Sequence, residues 1–166
     1  MRSTVQLLEP LIPSLRRYAF ALTRDHALAD DLVQDTLERA LQRWTLRGDS
    51  LRPWLFTVLR NLFLDGARAR RRRPAFEPLD DRHEALGLPP GQEGALLGGD
   101  MLDSFAKLSE EHRSVLLLVA VEGLSYAAAA QALGVPMGTV MSRLSRAREH
   151  FRRLIDDERP ALRRVK

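Results

Sequence analysis

The run Ser125-Tyr126-Ala127-Ala128-Ala129-Ala130-Gln131-Ala132-Leu133, then Gly134-Val135-Pro136, then Met137-Gly138-Thr139-Val140-Met141-Ser142-Arg143-Leu144-Ser145-Arg146 decides the fold. A short alanine-rich helix, a three-residue turn and a longer basic helix make a helix-turn-helix pattern. Alanines let two helices approach closely, Gly134 accepts the left-handed conformation of a tight turn, and Pro136 presets the start of the next helix. Val140, Leu144, Ala147 and Phe151 recur at three- and four-residue steps and form an inward face. Thr139, Ser142, Arg143 and Arg146 then point away, where hydroxyls and guanidinium forks suit base edges and phosphates. A plain helical hairpin has the same spacing; the turn chemistry and the basic outer face favour DNA.

Upstream, Leu108-Ser109-Glu110-Glu111 opens another helix, with Ser109 as N-cap and two acids at the positive end of its dipole. Val115, Leu116 and Val119 supply its core face and Gly123 ends it. Before it, residues 74–103 hold four of the nine prolines and five of the ten glycines. There Leu88-Pro89-Pro90-Gly91 and Leu97-Gly98-Gly99-Asp100 break any helical period, which makes the segment a linker with at most a short helical piece. The N-terminal part is helical again. One helix spans about residues 6–22, with Pro10 and Pro13 near its start, and Asp25 is placed to cap the next. Leu28, Leu32, Val33, Leu37, Ala40, Leu41 and Trp44 form the stripe of that second helix. Gly48-Asp49-Ser50 turns the chain, and Pro53 lies in the first turn of a third helix. Trp54, Leu55, Val58, Leu59, Leu62 and Phe63 form its stripe before it runs out into Arg68 and Arg70 to Arg73. Nothing reads as a strand. The expected fold is all-α, two small helical bundles (residues 1–73 and 104–166) joined by a flexible linker (74–103).

Composition narrows the chemistry. The 166 residues are 45% hydrophobic, enough for two small cores. There is no cysteine, hence no disulfide, thiolate site or thiol nucleophile. Four scattered histidines without a His-x-x-His or Glu-x-x-His pair make a metal site unexpected, and no cofactor is expected either. The longest apolar run, Val115 to Val121, is far short of a membrane span, and the N-terminus has no secretion signal. A cytoplasmic protein without membrane insertion is expected. The net charge of +4 is unevenly spread. Residues 1–73 carry 14 basic and 8 acidic side chains, residues 74–103 carry 1 and 7, and residues 104–166 carry 11 and 7. Two basic blocks on an acidic tether fit two polyanion-facing domains, although ordinary solvated surface gives the same counts.

Two further patterns lie in the first block. Asp30, Asp31, Gln34, Asp35, Glu38 and Gln42 oppose the apolar stripe of their helix. An acidic face repels DNA; it is either solvated surface or a dock for a basic protein partner. The third helix carries aromatics beside cations, a combination that suits single-stranded DNA. Trp54 fits the core better, whereas Phe56 and Asn61 fall off the main stripe and are the better DNA candidates.

Three motifs in order, Ala29-Asp30-Asp31-Leu32-Val33-Gln34-Asp35, Leu51-Arg52-Pro53-Trp54-Leu55 with Arg60-Asn61-Leu62-Phe63-Leu64-Asp65, and Gly138-Thr139-Val140-Met141-Ser142-Arg143-Leu144-Ser145-Arg146-Ala147-Arg148, closely resemble the extracytoplasmic-function (ECF) group of sigma-70 family sigma factors. The resemblance covers all but the linker and the last dozen residues. It implies a region 2-like domain and a region 4-like helix-turn-helix domain that bring core RNA polymerase to promoter DNA for transcription initiation. Asp30, Asp31, Gln34, Asp35 and Glu38 would dock on the clamp helices of the polymerase β′ subunit. Asp49, Ser50, Arg52, Phe56, Arg60, Asn61 and Arg68 would recognise and melt the −10 element. Thr139, Ser142, Arg143 and Arg146 would read the −35 element, with the β flap nearby. The linker would thread the polymerase cleft, and an anti-sigma factor is an expected partner. Ala128, where relatives often carry glutamate, and Met141, where lysine is frequent, depart from the pattern and bear on the −35 sequence read. No inhibitory N-terminal region, third sigma domain or C-terminal extension is expected.

Two other classes fit less well. A stand-alone helix-turn-helix regulator needs a dimer-forming segment, and none is evident; a monomer is expected when the chain is free. An enzyme needs a partnered His, a nucleophile or a phosphate-binding loop, and Asp30, Asp31 and Asp35 have none beside them.

Overall fold

The computed structural model describes residues 3–43, 51–72 and 95–158, and every described element is helical. The order is α1 (Thr4–Leu8), a 3-10 turn (Glu9–Leu11), α2 (Ile12–Thr23), α3 (His26–Gln42), α4 (Leu51–Arg72), α5 (Ala95–Ala106), α6 (Glu110–Leu116) continuing as a π-wound turn (Leu117–Val121), α7 (Tyr126–Leu133) and α8 (Met137–Glu158). The single first helix expected over 6–22 is divided in three. Pro10 and Pro13 lack the N–H donors a continuous helix needs, so each sits near the start of a new segment.

Local signals set the helix ends. The Asp25 carboxylate accepts from the Leu28 N–H at 2.9 Å and caps α3. Ser109 and Ser125 cap α6 and α7 in the same way. Gly123 and Gly134 both take left-handed conformations, with φ of 67° and 65°. A Cβ at Gly134 would meet nothing within 4 Å, so the cost of substitution there is conformational alone. Gly134→Ala is expected to lower stability by about 1–2 kcal/mol in denaturant melts. Smaller cost would mean that the turn relaxes.

Residues 97–100 were expected to break the helical period, yet α5 runs through Gly98 and Gly99. Its C-terminal half packs on α8, where Phe105 meets Phe151 edge to face at 5.9 Å. Tertiary contact overrides the weak propensity of the two glycines.

α2, α3 and α4 pack into an N-terminal bundle around Leu15, Tyr18, Leu32, Leu55 and Leu59, and α6, α7 and α8 into a C-terminal one around Val115, Leu118, Val140 and Leu144. The bundles are also docked on each other. α4 lies against α7 and α2 against α6, and the buried residues form one continuous cluster. α4 is therefore covered on two sides.

Candidate polymerase and DNA interfaces

The acidic face is formed by α3. Asp31, Gln34, Asp35 and Glu38 follow an i, i+3, i+4, i+7 spacing that lines them along one side, and all four are exposed, as is Asp30. Behind them Leu32, Val33 and Thr36 are buried; the Thr36 hydroxyl donates to the Leu32 carbonyl at 2.7 Å. Asp30 pairs with Arg16 at 3.2 Å, and the Gln34 amide donates to Glu38 at 3.1 Å. Asp31 and Asp35 have no ion pair among the described residues. Two uncommitted carboxylates on a rigid helix are a ready acceptor for basic side chains.

The second set lies on α4 and the turn before it. Asp49 and Ser50 fall outside the described residues. Asn61 and Arg68 are exposed, Arg68 lying 3.8 Å from Asp65. Phe56 was expected to face outward. Instead it is 1% exposed, edge to face with Tyr18 at 5.3 Å and under the Arg52 guanidinium at 5.7 Å. The ring packs within its own bundle, against Tyr18 of α2, so a residue off the main stripe of α4 is still buried. Trp54 is half-buried against the core, as expected.

Arg52 and Arg60 are both engaged by the C-terminal bundle. Arg60 Nε donates to Glu110 at 3.1 Å. Arg52 Nη2 donates to the Glu122 backbone carbonyl at 2.6 Å and lies 3.3 Å from its carboxylate. Arg17 completes the site, its Nε and Nη2 donating to the two Glu122 oxygens at 2.7 and 3.0 Å. These bonds to Glu122 hold the Arg17 pKa above its ordinary value. A relay lies beside them: the Tyr18 hydroxyl donates to Ser114 at 3.1 Å, and the Ser114 hydroxyl donates to Glu110 at 2.7 Å. Burial pushes the Tyr18 phenol up, well beyond any physiological titration. Sequence reading missed Arg17 and Glu122, because the local signal of each is that of a solvated surface charge.

The third set is on α8. Val140, Leu144 and Ala147 are buried, which fixes the opposite face outward. Ser142 and Arg146 are exposed and Thr139 is half-buried. Arg143 is turned aside: its side chain is only 22% exposed and pairs with Glu111 of α6 at 3.3 Å. In its place Met141, Ser145, Arg148 and Arg152 line an open groove of about 490 Å³ with Tyr126 across from them. The sequence reading left Ser145, Arg148 and Arg152 out of its −35 set, although Ser145 lies one turn from Ser142. A helix of this face, with arginines beside short polar side chains, can enter a major groove.

No group of His, Asp and Glu that could hold a metal ion occurs among the described residues, and no described helix is long and apolar enough to cross a membrane. These features describe a helical protein with an exposed basic face on α8 and a separate exposed acidic face on α3.

Comparison with known proteins carries the class to a family. Residues 8–60 match the model of the sigma2 domain of PhyR, and residues 99–151 match sigma-70 region 4. The chain is 40% identical over 147 residues to the ECF RNA polymerase sigma factor EcfG of Rhodopseudomonas palustris, covering 87% of this chain and 80% of that one. It is 42% identical over 134 residues to the ECF sigma factor SigL of Mycobacterium tuberculosis, covering 78% and 76%. Among solved structures it is similar to the sigma factor RpoE of Bartonella quintana, in complex with the anti-sigma factor NepR, with a TM-score of 0.76, 35% identity and coverage of 93% and 97%. CnrH in complex with the cytosolic domain of CnrY gives a TM-score of 0.68 at 25% identity, covering 93% and 88%. The chain belongs to the ECF sigma factors of the sigma-70 family. It is accordingly a transcription initiation factor for RNA polymerase, not an enzyme.

Proposed function

We propose that the three surfaces divide the work of this sigma factor. The α3 face of Asp30, Asp31, Gln34, Asp35 and Glu38 docks on the β′ clamp helices of core polymerase. The N-terminal bundle, taken as residues 1–73, engages the −10 element through Asp49, Ser50, Arg52, Arg60, Asn61 and Arg68. The C-terminal bundle, residues 104–166, reads the −35 element through the outer face of α8 and sits by the β flap, with 74–103 as the tether. The protein is cytoplasmic, monomeric when free, and controlled by an anti-sigma factor that binds it, as solved relatives are found in such complexes. The observation that carries this reading is the segregation of charge: exposed carboxylates on α3, exposed arginines on α8.

The −35 assignment is tested by run-off transcription with purified core polymerase on genomic fragments. Arg146→Ala should weaken promoter recognition by about 1–3 kcal/mol, the ordinary worth of an arginine–guanine contact. Arg143→Ala should cost less, since that side chain is held by Glu111. Equal losses would place Arg143 on the DNA, and no loss from either would remove α8 as the reader.

A further inference from the structure

Of the four side chains first expected to read the −35 element, three are restrained by the protein itself. Arg143 is held by Glu111 at 3.3 Å. The Ser142 hydroxyl donates to the Thr139 carbonyl at 3.1 Å, which commits its proton, and Thr139 is half-buried. Arg146 is left as the exposed donor of the set. The same half of α8 exposes two methionines. Met137 is 48% and Met141 46% open to solvent, an i, i+4 pair on one side of the helix. Between them Gly138 adds no side chain, and a Cβ there would meet nothing within 4 Å. The backbone can therefore come close to whatever α8 enters.

What these methionines can bind is restricted. A thioether is a weak acceptor and no donor, so it holds neither a phosphate nor the acceptor edge of guanine. It is long, unbranched and polarisable, and packs on apolar groups of irregular shape. In the major groove of DNA the apolar group on offer is the C5-methyl of thymine. The surroundings suit nucleic acid: Met141 shares its open groove with Ser145, Arg148 and Arg152. Tyr126, the first residue of α7, stands across from it, where the leading helix of a helix-turn-helix crosses the sugar-phosphate backbone.

We infer that Met141, extended by Met137, is a specificity-determining residue of this chain, its thioether packing on a thymine methyl in the −35 element. An apolar contact is thereby added to the hydrogen bonds of Arg146. The inference rests on the proposed −35 role of α8.

The test uses holoenzyme reconstituted from the full chain and core polymerase, and a promoter fragment recovered by run-off transcription with its −35 element located by footprinting. Each thymine of the element, on either strand, is replaced in turn by deoxyuridine, which lacks only the methyl group. At one or two positions the replacement should weaken binding by about fourfold, the worth of one buried methyl group. Met141→Ala should bind the thymine and uracil duplexes equally, which closes a double-mutant cycle on the contact. Met141→Lys should do the same and serves if the first variant folds poorly. A wild-type holoenzyme indifferent to every replacement overturns the inference. So does a uracil penalty that persists undiminished in the variants, since another residue then holds the methyl. Weaker association of Met141→Ala with core polymerase in the absence of DNA would assign the side chain to a protein contact and overturn it as well. Failure of the −35 reading itself shows separately, as Arg146→Ala and replacement of the whole element leaving transcription intact.

Discussion

Changing Asp31 and Asp35 together to lysine is expected to abolish association with core polymerase while leaving the chain folded. Both carboxylates are exposed on α3, and no described residue pairs with either. The substitutions therefore break no internal contact. Position 31 already lies beyond the first turn of α3, which begins at His26, so the helix dipole is barely affected, and lysine is a better helix former than aspartate. Against a basic partner the reversal puts like charges face to face, at a cost of about 3 kcal/mol or more, roughly a hundredfold or more in affinity. Co-purification with the core enzyme, read beside a melting curve, checks both halves. Retained binding with an unchanged melt refutes the docking role.

Phe56→Ala is expected to destabilise the chain by about 3–5 kcal/mol, the usual cost of deleting a buried aromatic ring. The ring is 1% exposed and supports Tyr18, whose hydroxyl begins the relay to Ser114 and Glu110. Its loss should loosen the N-terminal bundle and the junction between bundles together. Urea titration of the full chain measures the first effect. A loss under about 1 kcal/mol would show that the ring leaves the core readily, and the base-stacking role read from its position would return.

The contrast between Phe56 and Gly134 shows what the sequence makes legible. Gly134, Asp25 and Ser109 act through neighbours within a few residues, so turn and cap chemistry are readable from the run itself, and the structure has all three in those roles. The α3 and α8 faces are readable too, because each follows the period of its own helix. Phe56 lies off the main stripe of α4 and is buried all the same, because α2 sets Tyr18 across that flank, a contact between helices that the period of α4 alone does not show. Arg17 and Glu122 lie 105 residues apart, and neither carries any local mark of the other. The turn of Asp49 and Ser50 lies outside the described residues, so the structure adds nothing to its reading.

The burial of Glu122 also sets how the junction between the two bundles answers ionic strength. Exposed pairs such as Arg16–Asp30, 63% and 62% open to solvent, weaken as salt rises, because mobile ions screen them. Ions reach Arg17 but not the carboxylate it holds, which is 1% exposed. DNA binding falls steeply with salt, through the counterions that each phosphate contact releases and high salt holds in place. The contact of Arg52 with Glu122 is thus sheltered from the medium, whereas a contact of an arginine with a phosphate is governed by it.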